Sequence, residues 1–298
     1  MARSTRRDFL KTTAGAAVWS GFGGATALAK HGKRTATDWV TLGKSKVKVT
    51  RLALGTGTFG GRVQRDLSQE DFTRLVRHAY DHGIRFFETA EAYREMPERL
   101  AAALKGLPRD SYRLMTKFEI NRPGDASARI DQFRRQLNTE YIDILLLHCV
   151  RKPTWPSDTA KLQDEFSEAQ HKKIIMAHGA SVHGLQALRA FPGTKWLEVS
   201  MIRMNQNGTR MDTESMRDSQ EPGNVDEVVA NARKVHQQGS GVISMKLVGE
   251  GRFTRPEDRD AAIKFAFNAV PVDCVTIGFK NTQEIDEAID RFQRVLNA

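Results

Sequence analysis

Residues 142–147 read Ile-Asp-Ile-Leu-Leu-Leu, an almost continuously apolar run that predicts a β-strand buried on both faces. Short β-branched runs of the same kind recur from residue 38 onward, and longer segments with helical spacing separate them. The other predicted strands are 51–54, 84–87, 112–115, 174–176, 197–201, 242–245 and 272–277. Eight strand–helix units in about 250 residues predict an α/β fold, a closed (β/α)8 TIM barrel.

Helical periodicity and capping residues place a helix after each strand. Ser68 has the side chain of an N-cap, and the helix after it carries apolar residues on one face. Further helices are predicted near 98–104, 130–137, 158–170, 184–190, 225–238, 257–268 and 282–295. Thr37–Thr50 reads as a hairpin around Gly43 that plugs the N-terminal end of the barrel. An open doubly wound sheet is the alternative to the barrel.

The composition indicates a soluble globular protein, with 40% hydrophobic, 28% charged and 8% aromatic residues. Two cysteines exclude a disulfide framework and a multi-cysteine zinc or iron–sulfur site. The net charge is +10, but basic and acidic residues are interleaved, so we expect a solvated surface rather than nucleic-acid binding. After the N-terminal region no segment approaches 18 consecutive apolar residues, so no stable membrane insertion is expected.

The first 29 residues are predicted to be an export signal. Arg6 and Arg7 precede Asp8-Phe9-Leu10-Lys11, and an uncharged run then ends in Ala27-Leu28-Ala29, which has the form of a cleavage site. The paired arginines resemble the twin-arginine type, and the alternative is an uncleaved N-terminus or membrane anchor. The predicted organisation is therefore a signal at 1–29, a linker at 30–37 and a barrel at 38–298. The expected partner is the twin-arginine translocation machinery, and the destination is periplasmic or extracellular.

Four polar residues follow the predicted strands at the barrel face where active sites lie. Glu88 and Tyr93 come after the second strand, Lys117 after the third and His148 after the fourth. A nearby ammonium lowers the pKa of a phenol, and we expect Glu88 to keep Lys117 charged for this purpose. His148 can hydrogen-bond a carbonyl oxygen. The set predicts reduction of an aldehyde or ketone with Tyr93 as the general acid and a hydride from a cofactor.

The sequence resembles the aldo-keto reductase family over residues 39–295. The stretches that carry the resemblance are Leu42-Gly43, 51–60, 83–93, 116–118, 141–148 and Met245-Lys246 before Gly249. The resemblance implies a catalytic tetrad of Glu88, Tyr93, Lys117 and His148, and NADP(H) or NAD(H) as the cofactor. It also implies a set of cofactor contacts, namely Gly55, Thr56, Ser181, Lys246, Gly278, Lys280, Asn281, Gln283 and Glu287.

Several positions depart from the family pattern. Glu88 stands where the family normally has Asp, and its extra methylene is expected to displace the Lys117 ammonium. Val182 replaces an Asn that would meet the nicotinamide, and Met245 replaces an aromatic residue that would stack on it. Glu284 stands in place of Arg or Gln near the adenosine ribose, where a carboxylate would repel a 2′-phosphate, and Ala288 replaces a frequent Asn.

Two functions of different classes therefore remain open. The first is an exported nicotinamide-dependent reductase, which the tetrad favours. The second is a barrel that has kept its fold and works as a periplasmic binding or partner protein, using the long segment 205–224. This segment is expected to be either a lid over the site or a disordered insertion. His148, His178 and His183 are an alternative metal site in the barrel mouth, but no acid at matching spacing supports it, and no metal is predicted.

Overall fold

The computed structural model describes residues 33–215 and 220–298. In this part of the chain, a two-stranded hairpin precedes a closed barrel of eight strands. The hairpin consists of β1 (Trp39–Thr41) and β2 (Lys48–Thr50). The barrel strands are β3 (Leu52–Gly55), β4 (Phe86–Glu88), β5 (Arg113–Glu119), β6 (Ile142–Val150), β7 (Ile175–Val182), β8 (Val199–Arg203), β9 (Gly241–Met245) and β10 (Cys274–Ile277). All are parallel to their neighbours, and β10 closes the barrel against β3.

The α-helices of the described residues follow the strands as predicted. They are α1 (Arg62–Arg65), α2 (Gln69–Asp81), α3 (Met96–Leu104), α4 (Ala126–Gln136), α5 (Trp155–Asp158), α6 (Ala160–His171), α7 (Leu185–Leu188), α8 (Val225–Gln237), α9 (Pro256–Lys264) and α10 (Thr282–Val295). Ser68 is the N-cap of α2, and its hydroxyl accepts the amide hydrogen of Asp71. The helix predicted at 257–268 ends at Lys264 and continues as one π-helical turn. The predicted signal at 1–29 lies outside the described residues.

Strand β6 has the burial on both faces that its apolar run predicts. Ile144 and Leu146 point into the barrel and belong to its inner core. Leu145 and Leu147 point outward and pack with the surrounding helices. All four side chains have no exposed surface, so the strand is buried on both faces as predicted. The closed barrel also excludes the open-sheet alternative, although Gly55–Gly60 has the Gly-x-Gly-x-x-Gly spacing of a dinucleotide-binding loop.

The hairpin lies across the N-terminal end of the barrel. Its residues Leu42 and Val49 are fully buried and join the inner core. Gly43 pairs with Ser240 at the start of β9, and its backbone has φ +46°. A Cβ atom on Gly43 would lie 2.3 Å from the carbonyl oxygen of Gly239, so only glycine fits this contact. The apolar side chains of Leu42 and Val49 each stabilise the plug by about 1.5–3 kcal/mol.

Six strands, β3 to β8, extend further toward the barrel mouth than the sequence indicates, and β5, β6 and β7 do so by three residues or more. Lys117, His148 and Ser181, predicted to follow strand ends, lie inside β5, β6 and β7. The boundaries were wrong because a polar side chain at the open end of a barrel strand breaks the apolar run without ending the backbone ladder.

The long segment 205–224 is packed against the barrel in its described part. Met211 and Asp212 are buried, and Arg203 of β8 donates to the Asp212 carboxylate over 2.8 Å. The backbone amide of Gly184 donates to the same carboxylate over 2.7 Å. These contacts anchor the segment beside the barrel mouth, and its role as a lid stays a prediction. None of the described helices is long and apolar enough to cross a membrane.

Candidate active site

The centre of the site is a buried ion pair between neighbouring strands. Glu88 is the last residue of β4, and Lys117 lies in β5. The Lys117 ammonium donates to the Glu88 carboxylate and, over 3.0 Å, to the carbonyl oxygen of Thr89. The Lys117 side chain is 1% exposed and the Glu88 side chain 3%. The longer side chain of Glu88 therefore still reaches the ammonium.

Tyr93 completes this group from a 3-10 turn, Glu91–Tyr93, that follows β4. Lys117 Nζ donates to the Tyr93 hydroxyl oxygen over 3.2 Å. A Cβ atom on Gly57 would lie 2.5 Å from that hydroxyl, so the β3–α1 segment approaches the phenol closely only because residue 57 is glycine. The sequence prediction that Tyr93 and Lys117 are adjacent is met by this distance.

His148 of β6 packs against the phenol ring of Tyr93. The Tyr93 and His148 rings meet edge to face, with their centroids 5.6 Å apart. Burial, with smaller contributions from the charges of Lys117 and His183, lowers the pKa of His148 well below its usual value. The imidazole is therefore neutral at pH 7 and can hydrogen-bond a substrate oxygen without adding a charge.

The pKa values of Tyr93 and Lys117 correct one expectation. Burial raises the pKa of Tyr93, whereas the sequence predicts that the neighbouring ammonium lowers this pKa. Burial also lowers the pKa of Lys117 to about 7. The reason is that water is excluded from both groups, which penalises the phenolate and the ammonium alike. Before a ligand binds, the phenol thus holds its proton firmly.

Glu91, which is not among the predicted site residues, anchors the turn that carries Tyr93. Its carboxylate accepts hydrogen bonds from Arg129 (2.5 and 3.2 Å), from Arg122 (3.1 Å) and from the backbone amide of Glu119 (2.9 Å). The Glu91 side chain is only 2% exposed, so these partners compensate a buried charge. An arginine at position 129, on the apolar face of α4, is the only sequence signal that points to this buried acid.

A large cleft opens beside the tetrad, between the ends of β9 and β10 and helix α10. Its volume is about 650 Å³, within the range of ligand sites, and its wall includes Lys246, Gly278, Lys280 and Glu287. A smaller cavity of about 60 Å³ is lined by Gly55, Tyr93 and Glu88. Lys246 and Gly278 line both cavities, so the cleft adjoins the phenol.

The other predicted cofactor residues have contacts of their own. The Thr56 hydroxyl donates to the carbonyl oxygen of Glu88 (3.0 Å), and the Ser181 hydroxyl accepts the amide hydrogen of Cys149 (3.1 Å). Asn281 is the N-cap of α10, and its side chain accepts the amide hydrogen of Glu284 (2.9 Å). Gln283 lies in the first turn of α10. These four side chains, Thr56, Ser181, Asn281 and Gln283, do not line either cavity formed by the described residues.

A carboxylate occupies the cationic part of the cleft. Glu250 contacts the Lys246 ammonium, and Arg210 donates to it over 2.9 Å. Burial raises the pKa of Glu250, but Lys246 and Arg210 outweigh burial and hold it below its usual value. Glu250 lies in a tight turn and has φ +57°. The charge of Lys246, which the family resemblance implies to be a cofactor contact, is thus already balanced from within the chain.

The three histidines of the alternative metal site do not converge. The His178 ring stacks on Trp196, with centroids 4.4 Å apart and planes at 4°. The His148 and His183 rings meet edge to face, with their centroids 6.4 Å apart. Among the described residues, the one group of three His, Cys, Asp or Glu side chains with converging ligand atoms lies elsewhere, on α2 and α10.

Fold and site together define a (β/α)8 barrel protein with an acid–base group at its C-terminal mouth and an adjoining ligand cleft. The model of the aldo/keto reductase family matches residues 51–297. The chain therefore belongs to the aldo/keto reductase family.

Two curated relatives agree with this assignment. A probable aldo-keto reductase of Glycine max is 29% identical over 174 residues, 50% of this chain and 50% of that protein. A putative aryl-alcohol dehydrogenase of Saccharomyces cerevisiae is 25% identical over 172 residues, 46% of this chain and 50% of that protein. The aligned part of the chain thus spans about half the length of these relatives.

The solved structures support the fold. A putative aldo-keto reductase from Pseudomonas aeruginosa superposes with a TM-score of 0.68 at 20% identity, over 88% of this chain and 97% of that chain. The holo form of an aldo-keto reductase from Bacillus halodurans superposes with a TM-score of 0.67 at 17% identity, over 88% of this chain and 95% of that chain.

Proposed function

We propose that this protein reduces the carbonyl group of an aldehyde or ketone to an alcohol with a nicotinamide cofactor. The observation that carries the proposal is the 3.2 Å contact between Lys117 Nζ and the Tyr93 hydroxyl, beside a cleft large enough for a ligand. Such a reaction adds a hydride to the carbonyl carbon and a proton to its oxygen. The chain supplies a proton donor, and the nicotinamide supplies the hydride when bound.

Tyr93 is the proton donor in this proposal. As the carbonyl oxygen gains negative charge, the phenol passes its proton to that oxygen and becomes a phenolate. Lys117 stabilises the phenolate through its hydrogen bond, and Glu88 and the Thr89 carbonyl hold Lys117 in position. His148, neutral because it is buried, can donate a second hydrogen bond to the substrate oxygen.

The cleft has groups that fit a dinucleotide. Lys246 and Lys280 line it, and both can contact phosphates. Helix α10 begins at the same wall, where backbone amides favour an anion. A Cβ atom on Gly278 would lie 2.4 Å from the Thr58 hydroxyl, so glycine leaves the cleft floor open. Glu284 accepts a hydrogen bond from the amide of Lys280 at this wall, and its charge favours NAD(H) over NADP(H).

A binding or partner protein is the second candidate function, and the ion pair of Lys246 with Glu250 favours it. A dinucleotide phosphate must displace the Glu250 carboxylate before it reaches Lys246. If the phosphate does not displace Glu250 from Lys246, the barrel keeps its fold but does not bind the cofactor.

Fluorescence titration of the full chain with NADH and NADPH separates the two functions. We expect saturable binding of at least one of them and its oxidation by a test aldehyde. Tyr93→Phe should lower turnover by about 10²–10⁴-fold and leave cofactor affinity unchanged. Tyr80→Phe is the matched control, since the Tyr80 hydroxyl contacts Ser111 away from the site. Binding of neither cofactor would favour the binding protein, and full turnover by Tyr93→Phe would exclude Tyr93 as the acid.

Export is a separate part of the proposal. The paired arginines Arg6 and Arg7 and the Ala27-Leu28-Ala29 sequence support a twin-arginine signal that delivers the barrel to the periplasm. Cell fractionation of the full chain tests this proposal. A double Arg6→Lys, Arg7→Lys variant should stay in the cytoplasm, and equal export of this variant and the original chain would contradict the twin-arginine route.

A further inference from the structure

Two histidines and an aspartate meet on the outside of the barrel, away from the cleft. His78 and His82 lie one turn apart at the C-terminal end of α2, and Asp286 lies on α10. One ligand atom from each of the three side chains lies within 4.8 Å of the other two. We propose that His78, His82 and Asp286 form a binding site for one divalent transition-metal ion of the zinc class.

The hydrogen bond of His82 prepares it as a ligand. Its Nδ1 atom lies 2.8 Å from the backbone carbonyl oxygen of His78. A carbonyl oxygen only accepts hydrogen bonds, so Nδ1 carries the hydrogen of the neutral ring and Nε2 keeps its lone pair. Metal-binding histidines in proteins are commonly oriented in this way by a hydrogen bond from their other ring nitrogen.

His78 and Asp286 already approach each other as two ligands of one ion do. The Nε2 atom of His78 lies 2.6 Å from Oδ1 of Asp286. A bound ion replaces the hydrogen between them, and the neutral imidazole then carries its hydrogen on Nδ1. Tetrahedral zinc with bonds of about 2.0–2.1 Å holds its ligand atoms about 3.3 Å apart. The Asp286 side chain is 49% exposed and His82 lies at the surface, so small side-chain rotations bring the atoms to this spacing.

The donor set selects the class of ion. Two imidazole nitrogens and one carboxylate oxygen suit Zn²⁺, Cu²⁺ or Ni²⁺ better than Mg²⁺ or Ca²⁺, which prefer oxygen ligands. Three protein ligands leave a fourth position for water. The ion joins α2 to α10, and α10 carries Glu284, Glu287 and Arg291 on the side that lines the cleft. Binding therefore stabilises the folded barrel and the helix that forms one wall of the cleft.

Isothermal titration with ZnCl₂ tests the site on the full chain, purified without a histidine tag and treated with EDTA. We expect one Zn²⁺ per chain with micromolar affinity, and a rise of about 5 °C in Tm at a hundredfold excess over the dissociation constant. His82→Ala and Asp286→Asn should each weaken zinc binding at least about tenfold and remove the rise in Tm. His171→Ala is the matched control, because His171 is an exposed histidine at the end of another helix, α6.

MgCl₂ in place of ZnCl₂ should give no saturable binding at the same concentrations. Zinc affinity that is unchanged in both His82→Ala and Asp286→Asn would overturn the site, and so would the absence of zinc binding to the original chain. Neither result depends on carbonyl reduction, so the site and the proposed function can fail independently.

Discussion

Replacing Lys117 with Met tests the electrostatics of the site most directly. Burial lowers the pKa of Lys117 from its usual 10.5 to about 7. Between these two pH values the unfolded chain binds more protons at this position than the folded chain, so raising the pH stabilises the fold. The lowered pKa of Lys117 therefore reduces the free energy of unfolding by about 4 kcal/mol at pH 7 and by about 2 kcal/mol at pH 9. Met has a similar length and no charge, so this part of the pH dependence disappears in Lys117→Met.

Urea unfolding of the original chain and of Lys117→Met at pH 7, 8 and 9 measures the effect. Between pH 7 and pH 9, the free energy of unfolding of the original chain should rise by about 2 kcal/mol more than that of the variant. Lys105→Met, at an exposed lysine just after α3, should keep the original pH dependence. Lys117→Met should also lose most of its turnover, because the phenolate has no ammonium beside it. If the free energy of unfolding changes equally with pH in the original chain and in Lys117→Met, the conclusion that burial lowers the pKa of Lys117 is wrong.

Three further substitutions address the cleft and the phenol. Glu250→Gln removes the carboxylate that competes for Lys246, and titration should show cofactor binding about tenfold tighter; weaker binding would mean that Glu250 does not compete. Glu284→Arg should raise the ratio of NADPH to NADH affinity about tenfold, and an unchanged ratio would place the adenosine elsewhere. Gly57→Ala puts a methyl group against the Tyr93 hydroxyl, so turnover measured by steady-state kinetics should fall about a hundredfold while cofactor affinity is retained. Full turnover by this variant would contradict the close approach of residue 57 to the hydroxyl.

A parallel sheet covered by helices on both faces follows from the sequence because its strands are apolar on both faces, and the count of eight strand–helix units favours a closed barrel. In the run at 142–147, Ile144 points into the barrel and Leu145 points outward to the helices. A two-layer fold, in which one face of the sheet is exposed to solvent, would leave one of these apolar side chains in water. The positions of Glu88 and Tyr93 just after the second strand predict that they lie at the barrel mouth, because the strand ends of such a fold converge there. Their contact with Lys117 follows from adjacent parallel strands, β4 and β5, whose register brings the side chains together.

Other features of the site depend on details that a sequence does not carry. Whether the pKa of Tyr93 is raised or lowered depends on how much water reaches the phenol, and this is a property of the closed site. Glu250 reaches Lys246 because the turn at 249–251 bends its backbone to φ +57°. A glutamate between two glycines does not indicate such a turn. The anchoring of Glu91 by Arg129 likewise joins residues from separate elements.

The hairpin that plugs the barrel sets an order of events during synthesis. Residues 39–50 leave the ribosome early, yet Gly43 rests on Ser240, which is made about 200 residues later. The plug cannot dock until β9 has joined the sheet, so Leu42 and Val49 stay uncovered while the rest of the chain emerges. The plug therefore docks late in folding, although its own residues are made long before the strand it rests on.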